Sequence, residues 1–277
     1  MMRQCGSCLV AFLLGMPVCR YSMLAILLMT GYGWADAAES PLLRVMSYNI
    51  HHAEGMDGQV DVERIAAIIR DASADLVALQ EVDRGVERSH RIDIPAKLAE
   101  LTGMHAAFFK NIDHQGGEYG NAILSRFPIQ KAENRHYHML HSAEQRGLLH
   151  AWIDVPGRPL LFLSTHLDFR REDAERLENA KEITKVREAN TTLPAILCGD
   201  FNDHPNGRLH QAMKTAWLDA WEAAGEGDGF TYSSQDPKSR IDYIYLTQDS
   251  GWTVQAIRVI PTEASDHMPL LAEITWQ

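Results

Sequence analysis

Apolar residues in this chain come in short runs that break off at polar clusters. The clusters are Ser47-Tyr48-Asn49-Ile50, Leu79-Gln80-Glu81-Val82-Asp83, Ser164-Thr165-His166-Leu167-Asp168 and Cys198-Gly199-Asp200-Phe201-Asn202-Asp203, with Ser265-Asp266-His267-Met268-Pro269-Leu270 opening a last apolar run. The runs read as strands over 42–50, 76–79, 105–109, 121–125, 147–155, 160–165, 194–198, 240–246, 253–259 and 270–275. Val62, Ile65, Ala66 and Ile69 have helical spacing behind a capping Asp61, predicting a helix over 62–70. A second helix over 94–101 stops at Gly103. A third, charged and amphipathic, covers 171–189 with Ala174, Leu177, Ala180 and Ile183 as its inner stripe. A doubly wound parallel sheet needs strict strand–helix alternation, and here several strands follow one another directly. The pattern therefore predicts an α/β fold: two packed, mostly antiparallel sheets with helices outside.

The first forty residues depart from that pattern. Residues 9–18 and 21–29 are apolar, Arg3 and Arg20 are the only charges before Asp36, and Ala35-Asp36-Ala37 fits a small-x-small cleavage site. Residues 1–38 read as a secretory signal or N-terminal leader, with Met16 as an alternative start and an uncleaved anchor as the rival. Arg20 divides the apolar stretch, so neither half reaches the roughly 18 to 20 residues that span a bilayer. Residues 39–277 then form one domain, with no linker, repeat or low-complexity tract to divide it. Cys5, Cys8 and Cys19 lie in the leader, leaving Cys198 alone in a run that reads as a buried strand, so no internal disulfide is expected. The net charge is −11. An acidic chain needs a local basic patch or a metal to bind a polyanion, which disfavours a nuclease without excluding it.

Each polar cluster taken alone is ordinary. Asn49 could be a turn residue, His166 a satisfied structural histidine, and Gly-Asp-x-Asn a common turn. Together they suggest strands converging on one hydrolytic site. Asn49 and Glu81 are hard oxygen donors, suited to Mg²⁺ or Mn²⁺. Gly199 permits a tight turn after which Asp200 can position or deprotonate a water and Asn202 can bind a phosphate oxygen. Asp242 alternates with Ile241 and Tyr243 and would be costly to bury unpaired. His267 is its expected partner, because a carboxylate fixes a histidine's tautomer and raises its basicity.

With these residues in order, the chain closely resembles the endonuclease/exonuclease/phosphatase superfamily. The motifs are Asn49, Gln80-Glu81, Gly120-Asn121-Ala122-Ile123-Leu124-Ser125, Thr165-His166, Gly199-Asp200-Phe201-Asn202, Ile241-Asp242-Tyr243 and Ser265-Asp266-His267. The resemblance implies a four-layer α/β/β/α sandwich and metal-assisted, in-line hydrolysis of a phosphate ester. It implies that Glu81, with Asn49 and Asp266, holds one Mg²⁺ or Mn²⁺. His166 and Asn202 would contact the scissile phosphate, Asp242 would orient His267, and Asp200 would help activate water. It leaves open whether Asp200 or His267 takes the proton. Asn121 would order neighbouring loops, and Tyr119 would reach the substrate.

Arg84, Arg88, Arg91, Arg146, Arg170 and Arg171 lie near predicted strand ends, and Arg84 and Arg146 in particular are substrate-binding candidates. For any one of them a solvated, charge-balanced loop is the plainer explanation. Three functions compete: an exported phosphodiesterase or phosphatase for a small or lipid-linked ester, a secreted nuclease, and a non-catalytic binding module. Keeping all seven site residues argues against the last. A membrane-docking hairpin could use Trp217, Trp221 or Trp252, but residues 212–221 have helical spacing and read as core. A monomer without an obligate protein partner is expected.

Overall fold

In the computed structural model, residues 42–248 and 250–276 are described; the expected leader over residues 1–38 lies outside them. Among the described residues there are twelve strands: β1 Leu43–Asn49, β2 Leu76–Arg84, β3 His105–His114, β4 Gly117–Ser125, β5 Ile129–His136, β6 Gly147–Ile153, β7 Leu160–His166, β8 Ala195–Asp200, β9 Trp217–Asp219, β10 Asp242–Thr247, β11 Trp252–Val259 and β12 Leu270–Trp276. The same residues form the α-helices α1 Val62–Asp71, α2 Ile94–Thr102, α3 Ala174–Glu188, α4 Arg208–Met213 and α5 Ala220–Ala224.

The strands form two six-stranded sheets, ordered β11-β12-β1-β2-β4-β3 and β5-β6-β7-β8-β10-β9. Pairing is mostly antiparallel, as the sequence pattern predicted, with one parallel pair in each sheet, β1–β2 and β7–β8. Side chains alternate across each sheet, so every central strand serves two cores. Val45, Leu76, Ala78, Ile123, Phe162, Ile196 and Ile244 fill the space between the sheets. Met46, Val77, Leu79 and Leu124 point outward against Ile65, Ile69 and Leu98 of α1 and α2. Leu161, Leu163, Leu197 and Tyr245 do the same against Ile183 and Leu209 of α3 and α4. This is the four-layer α/β/β/α sandwich, and burial on both faces explains why its central strands read as unbroken apolar runs.

Several boundaries differ for physical reasons. Asp61 caps α1 as expected, its side chain accepting the Arg64 N–H at 2.9 Å. Gly103 ends α2 in the left-handed region, at φ 70°. Helix α3 begins only at Ala174, which is exposed. Ala180 and Ile183 are buried and Leu177 packs beside them as expected, and the same helix also buries Glu175 and Glu182, paired with Arg170 and Arg135, so charge pairing lets polar residues take a core face. The predicted helical stripe over 212–221 is broken: Met213 ends α4, Trp217 lies in β9, and Trp221 lies in α5. Asp219 starts the new helix by accepting the Trp221 N–H at 2.8 Å. Trp217 is nonetheless core. Strand β5 escapes sequence reading because it is an edge strand with mostly polar, exposed side chains.

Candidate active site

The two parallel pairs converge on one cleft. Asn49 ends β1 in register with Gln80, so Glu81 follows one residue later on β2. In the second sheet His166 ends β7 in register with Asp200, which ends β8, and Asp242 opens the antiparallel β10 opposite Asp200. Parallel neighbours present their C-terminal ends together, and an antiparallel neighbour starts where they finish. Gln80 ties the sheets by donating to Ser164 Oγ at 3.1 Å. The segment before β12 supplies the last pieces. Ser265 Oγ donates to the Asn49 carbonyl at 2.8 Å and accepts the His267 N–H at 3.2 Å, fixing Asp266 and His267 beside β1.

Backbone irregularity aims two of these side chains. A bulge in β2 between Leu79 and Val82 interrupts the alternation, and Glu81 adopts φ 57° there. A left-handed non-glycine residue costs about 1–3 kcal/mol and is kept where surrounding structure over-determines it. Asn202, at φ 49°, is a second case; its N–H donates to Asp200 Oδ1 at 2.9 Å and its Nδ2 to the Leu167 carbonyl at 3.1 Å. Before it, Gly199 passes so close to the Thr165 carbonyl that no β-carbon would fit.

The side chains form a continuous network. Asn49 Nδ2 donates to Glu81 Oε1 at 2.9 Å and to Asp200 Oδ2 at 3.1 Å, while its Oδ1 accepts the His51 N–H. The Asn49 amide is thus occupied in holding two carboxylates. Asp200 Oδ2 also faces His166 Nε2 at 3.5 Å and His267 Nε2 at 3.6 Å. Asp242 Oδ2 lies 2.8 Å from His267 Nδ1, the pairing expected from the sequence. Burial alone would lower the His267 pKa, but the negative charges of Asp242 and Asp200 outweigh it and raise it. Burial, with the Asp242 charge adding, raises the Asp200 carboxyl despite the opposing imidazolium. Burial lowers His166 far below the usual histidine range, and Arg146 and His267 push it the same way.

These groups line a cleft of about 490 Å³. Tyr119 and Arg146 line it as well. Asn121 is buried and braces β4 against β6, donating to the Gly147 carbonyl at 3.2 Å. Arg84 is not among the lining residues: its Nε donates to Glu118 at 2.6 Å and its guanidinium lies over Phe108. Arg88 takes that place, held bidentately by buried Asp83 and lying over Tyr119. Arg91 pairs with Glu87, and Arg170 with Asp168 and Glu175. Sequence reasoning did not single out Ile112, His114, Glu144, Phe169 or Tyr232, all of which line the cleft. Phe169 and Tyr232 are 69% and 39% exposed. An exposed Phe directly after the His166 cluster was the one available signal.

A profile of the Endonuclease/Exonuclease/phosphatase family matches residues 46–267. The chain belongs to this family. It is 30% identical over 252 residues to protein YbhP of Escherichia coli (strain K12), covering 86% of this chain and 98% of that protein. It is 29% identical over 193 residues to a 5'-tyrosyl-DNA phosphodiesterase of Caenorhabditis elegans, covering 65% and 48%. Among solved structures, the mannosyl-6-phosphatase Bt3783 of Bacteroides thetaiotaomicron superposes with a TM-score of 0.72 at 22% identity, over 84% of this chain and all of that one. The human nocturnin catalytic domain gives 0.70 at 21%, over 86% and 94%. These two show a shared fold.

The Endonuclease/Exonuclease/phosphatase family comprises hydrolases of phosphate esters and nucleic acids, and the donor set here fits the hard divalent cation such chemistry uses. Glu81 and Asp266 both face the cleft. Among the described residues, neither carboxylate meets a lysine or arginine at ion-pair distance; Glu81 Oε1 has Asn49 and, at 4.0 Å, His166, while Asp266 has only the Ser265 hydroxyl at 3.3 Å. Two unneutralised carboxylates beside a buried Asp200 leave negative charge that a cation would balance. Asp200, Asp242 and His267 also offer ligand-capable atoms within 4.8 Å of one another.

Proposed function

We propose that the protein is an exported, Mg²⁺- or Mn²⁺-dependent hydrolase of small or lipid-linked phosphate esters, cutting a P–O bond by in-line attack of water. The observation that carries this reading is the unbroken chain of contacts from Glu81 through Asn49 and Asp200 to His267 and Asp242. Glu81 and Asp266 would hold the cation, with Asn49 fixing the Glu81 carboxylate. A cation there supplies positive charge against the phosphate oxygens.

The chain's own groups do the rest. Asp200, its carboxyl raised by burial, accepts a proton from the attacking water. His267, kept cationic by Asp242 and Asp200, donates from Nε2 to the phosphoryl oxygens as their charge grows. Asn202 and His166 donate to the same group. Losing one such donor typically costs about 10²–10³ in rate.

The cleft favours a small ester over a long nucleic acid. Both of its arginines are already matched by carboxylates, Arg88 by Asp83 and Arg146 by Glu144, so they offer little of the net positive field that a polyanion's backbone requires. Exposed aromatics at the cleft, Phe169 and Tyr232, suit an organic substituent on the phosphate. The test is a panel of bis-p-nitrophenyl phosphate, sugar and inositol phosphates, sphingomyelin, plasmid DNA and RNA, each with Mg²⁺, Mn²⁺ or EDTA and with His267→Ala as the blank. Turnover confined to nucleic acids would overturn the small-ester reading, and no turnover of any phosphate ester would overturn the enzyme.

A further inference from the structure

We propose that Arg146 is a positioning residue that locks His166 in the neutral tautomer carrying its proton on Nε2, so that His166 enters the reaction only as a hydrogen-bond donor. This rests on the phosphate-ester reading of the cleft, and on one contact inside it. Arg146 Nη1 lies 2.8 Å from His166 Nδ1. A guanidinium has N–H donors and no lone pair, so a contact of that length requires the lone pair to be on Nδ1. The single ring proton is then on Nε2, the nitrogen 3.5 Å from Asp200 Oδ2; the Glu81 carboxylate lies 4.0 Å from Nδ1, beyond hydrogen-bond reach, and leaves the Arg146 contact to set the tautomer.

The arrangement is held from several sides. Arg146 and His166 are each 5% exposed. Arg146 Nη1 also lies 2.9 Å from Glu144 Oε1, an ion pair that balances its charge. Arg146 immediately precedes β6, whose Leu148 stands opposite Thr165 on β7, one residue before His166. The Gly147 carbonyl beside Arg146 accepts from both Asn121 Nδ2 and Thr165 Oγ1. Asn121, expected to order the site loops, thereby secures the backbone that carries Arg146.

His166 and His267 are set to opposite states by what sits on Nδ1. A carboxylate on His267 Nδ1 makes that nitrogen the proton carrier and favours the imidazolium. A guanidinium on His166 Nδ1 reserves that lone pair, opposes a second ring proton and keeps the nitrogen from serving as a metal ligand. His267 can therefore carry charge to the phosphoryl group, whereas His166 supplies a fixed neutral dipole.

The test is ¹H–¹⁵N spectroscopy of the histidine-labelled full protein together with steady-state kinetics on bis-p-nitrophenyl phosphate. The wild type should show His166 with protonated Nε2 and unprotonated Nδ1. Arg146→Met should lose that signature and about 10²-fold in kcat with KM nearly unchanged. Arg146→Lys, which keeps a donor-only cation, should retain the Nε2–H tautomer and recover much of kcat. Glu144→Gln should give an intermediate result and guards against misfolding of the buried substitution. A wild-type His166 protonated on Nδ1 or on both nitrogens, or an Arg146→Met spectrum with the tautomer unchanged, would overturn the proposal. A wild type inactive on every ester, yet with the expected tautomer, would instead overturn the functional reading on which it rests.

Discussion

Replacing Asp242 by Asn probes the cleft with the least change of shape. The Asp242 carboxylate is 1% exposed, with Oδ2 2.8 Å from His267 Nδ1 and Oδ1 without a hydrogen-bond partner among the described residues. An asparagine of the same size would turn its NH₂ toward Nδ1 and force the ring proton onto Nε2, or turn its oxygen there and hold only a neutral ring. Either way the charge that offsets the burial of the imidazolium is gone, and Asp200 at 3.6 Å remains as a weaker counter-ion. Loss of the carboxylate from a buried Asp–His pair in a hydrolase costs about 10⁴ in kcat. With Asp200 retained, we expect about 10³, or roughly 4 kcal/mol at about 1.36 kcal/mol per decade. The variant should still fold but melt at a lower temperature, because the lost pairing with buried His267 outweighs the relieved repulsion between Asp242 and Asp200. The assay is kcat for bis-p-nitrophenyl phosphate with saturating Mg²⁺, alongside thermal melting followed by circular dichroism. A folded variant that loses less than tenfold in kcat would refute the assignment of His267 as a charge donor set by Asp242.

Four further outcomes are expected. Glu81→Gln should lower activity by several decades and abolish the response to added Mg²⁺ in a binding titration, while the EDTA-treated protein melts as the wild type does. In that metal-free state Asp200 titrates near 7, above the 3.8 of a free carboxyl, so its contribution to stability is full below about pH 4 and is lost as pH rises through about 7; melting temperatures of Asp200→Asn should fall less over that window, and parallel curves would count against the assignment. Arg84→Ala should leave kcat/KM within about twofold, whereas Arg88→Met should raise KM, because only Arg88 faces the cleft. Phe162→Ala, in the fully buried layer between the sheets, should destabilise by about 3–5 kcal/mol in urea unfolding.

Much of the architecture was legible because strands buried on both faces leave apolar runs, and because the polar residues of the cleft interrupt them. Asn49, His166 and Asp200 stand where β1, β7 and β8 finish, and Glu81 stands in the bulge of β2, so each interrupts an apolar run. The pairing of Asp242 with His267 could be inferred from the cost of an unpaired buried charge. Elements that bury little, such as β5, or that are joined by an immediate strand-to-helix turn, such as β9 and α5, left no periodic trace.

What the sequence alone determined is the kind of chemistry: oxygen donors, imidazoles and their order along the strands. What only the tertiary structure decided is which way each group points and what it touches. Arg84 and Arg88 are both near Glu81 in the chain, yet side-chain pairing sends one to Glu118 and brings the other over Tyr119 into the cleft. Tyr232 and Glu144 enter from loops with no pattern of their own. The proton position on His166 depends on Arg146, twenty residues away in the chain and 2.8 Å away in space. Such contacts are set by strand register and bulges, which depend on partners distant in the chain and therefore leave no local signature.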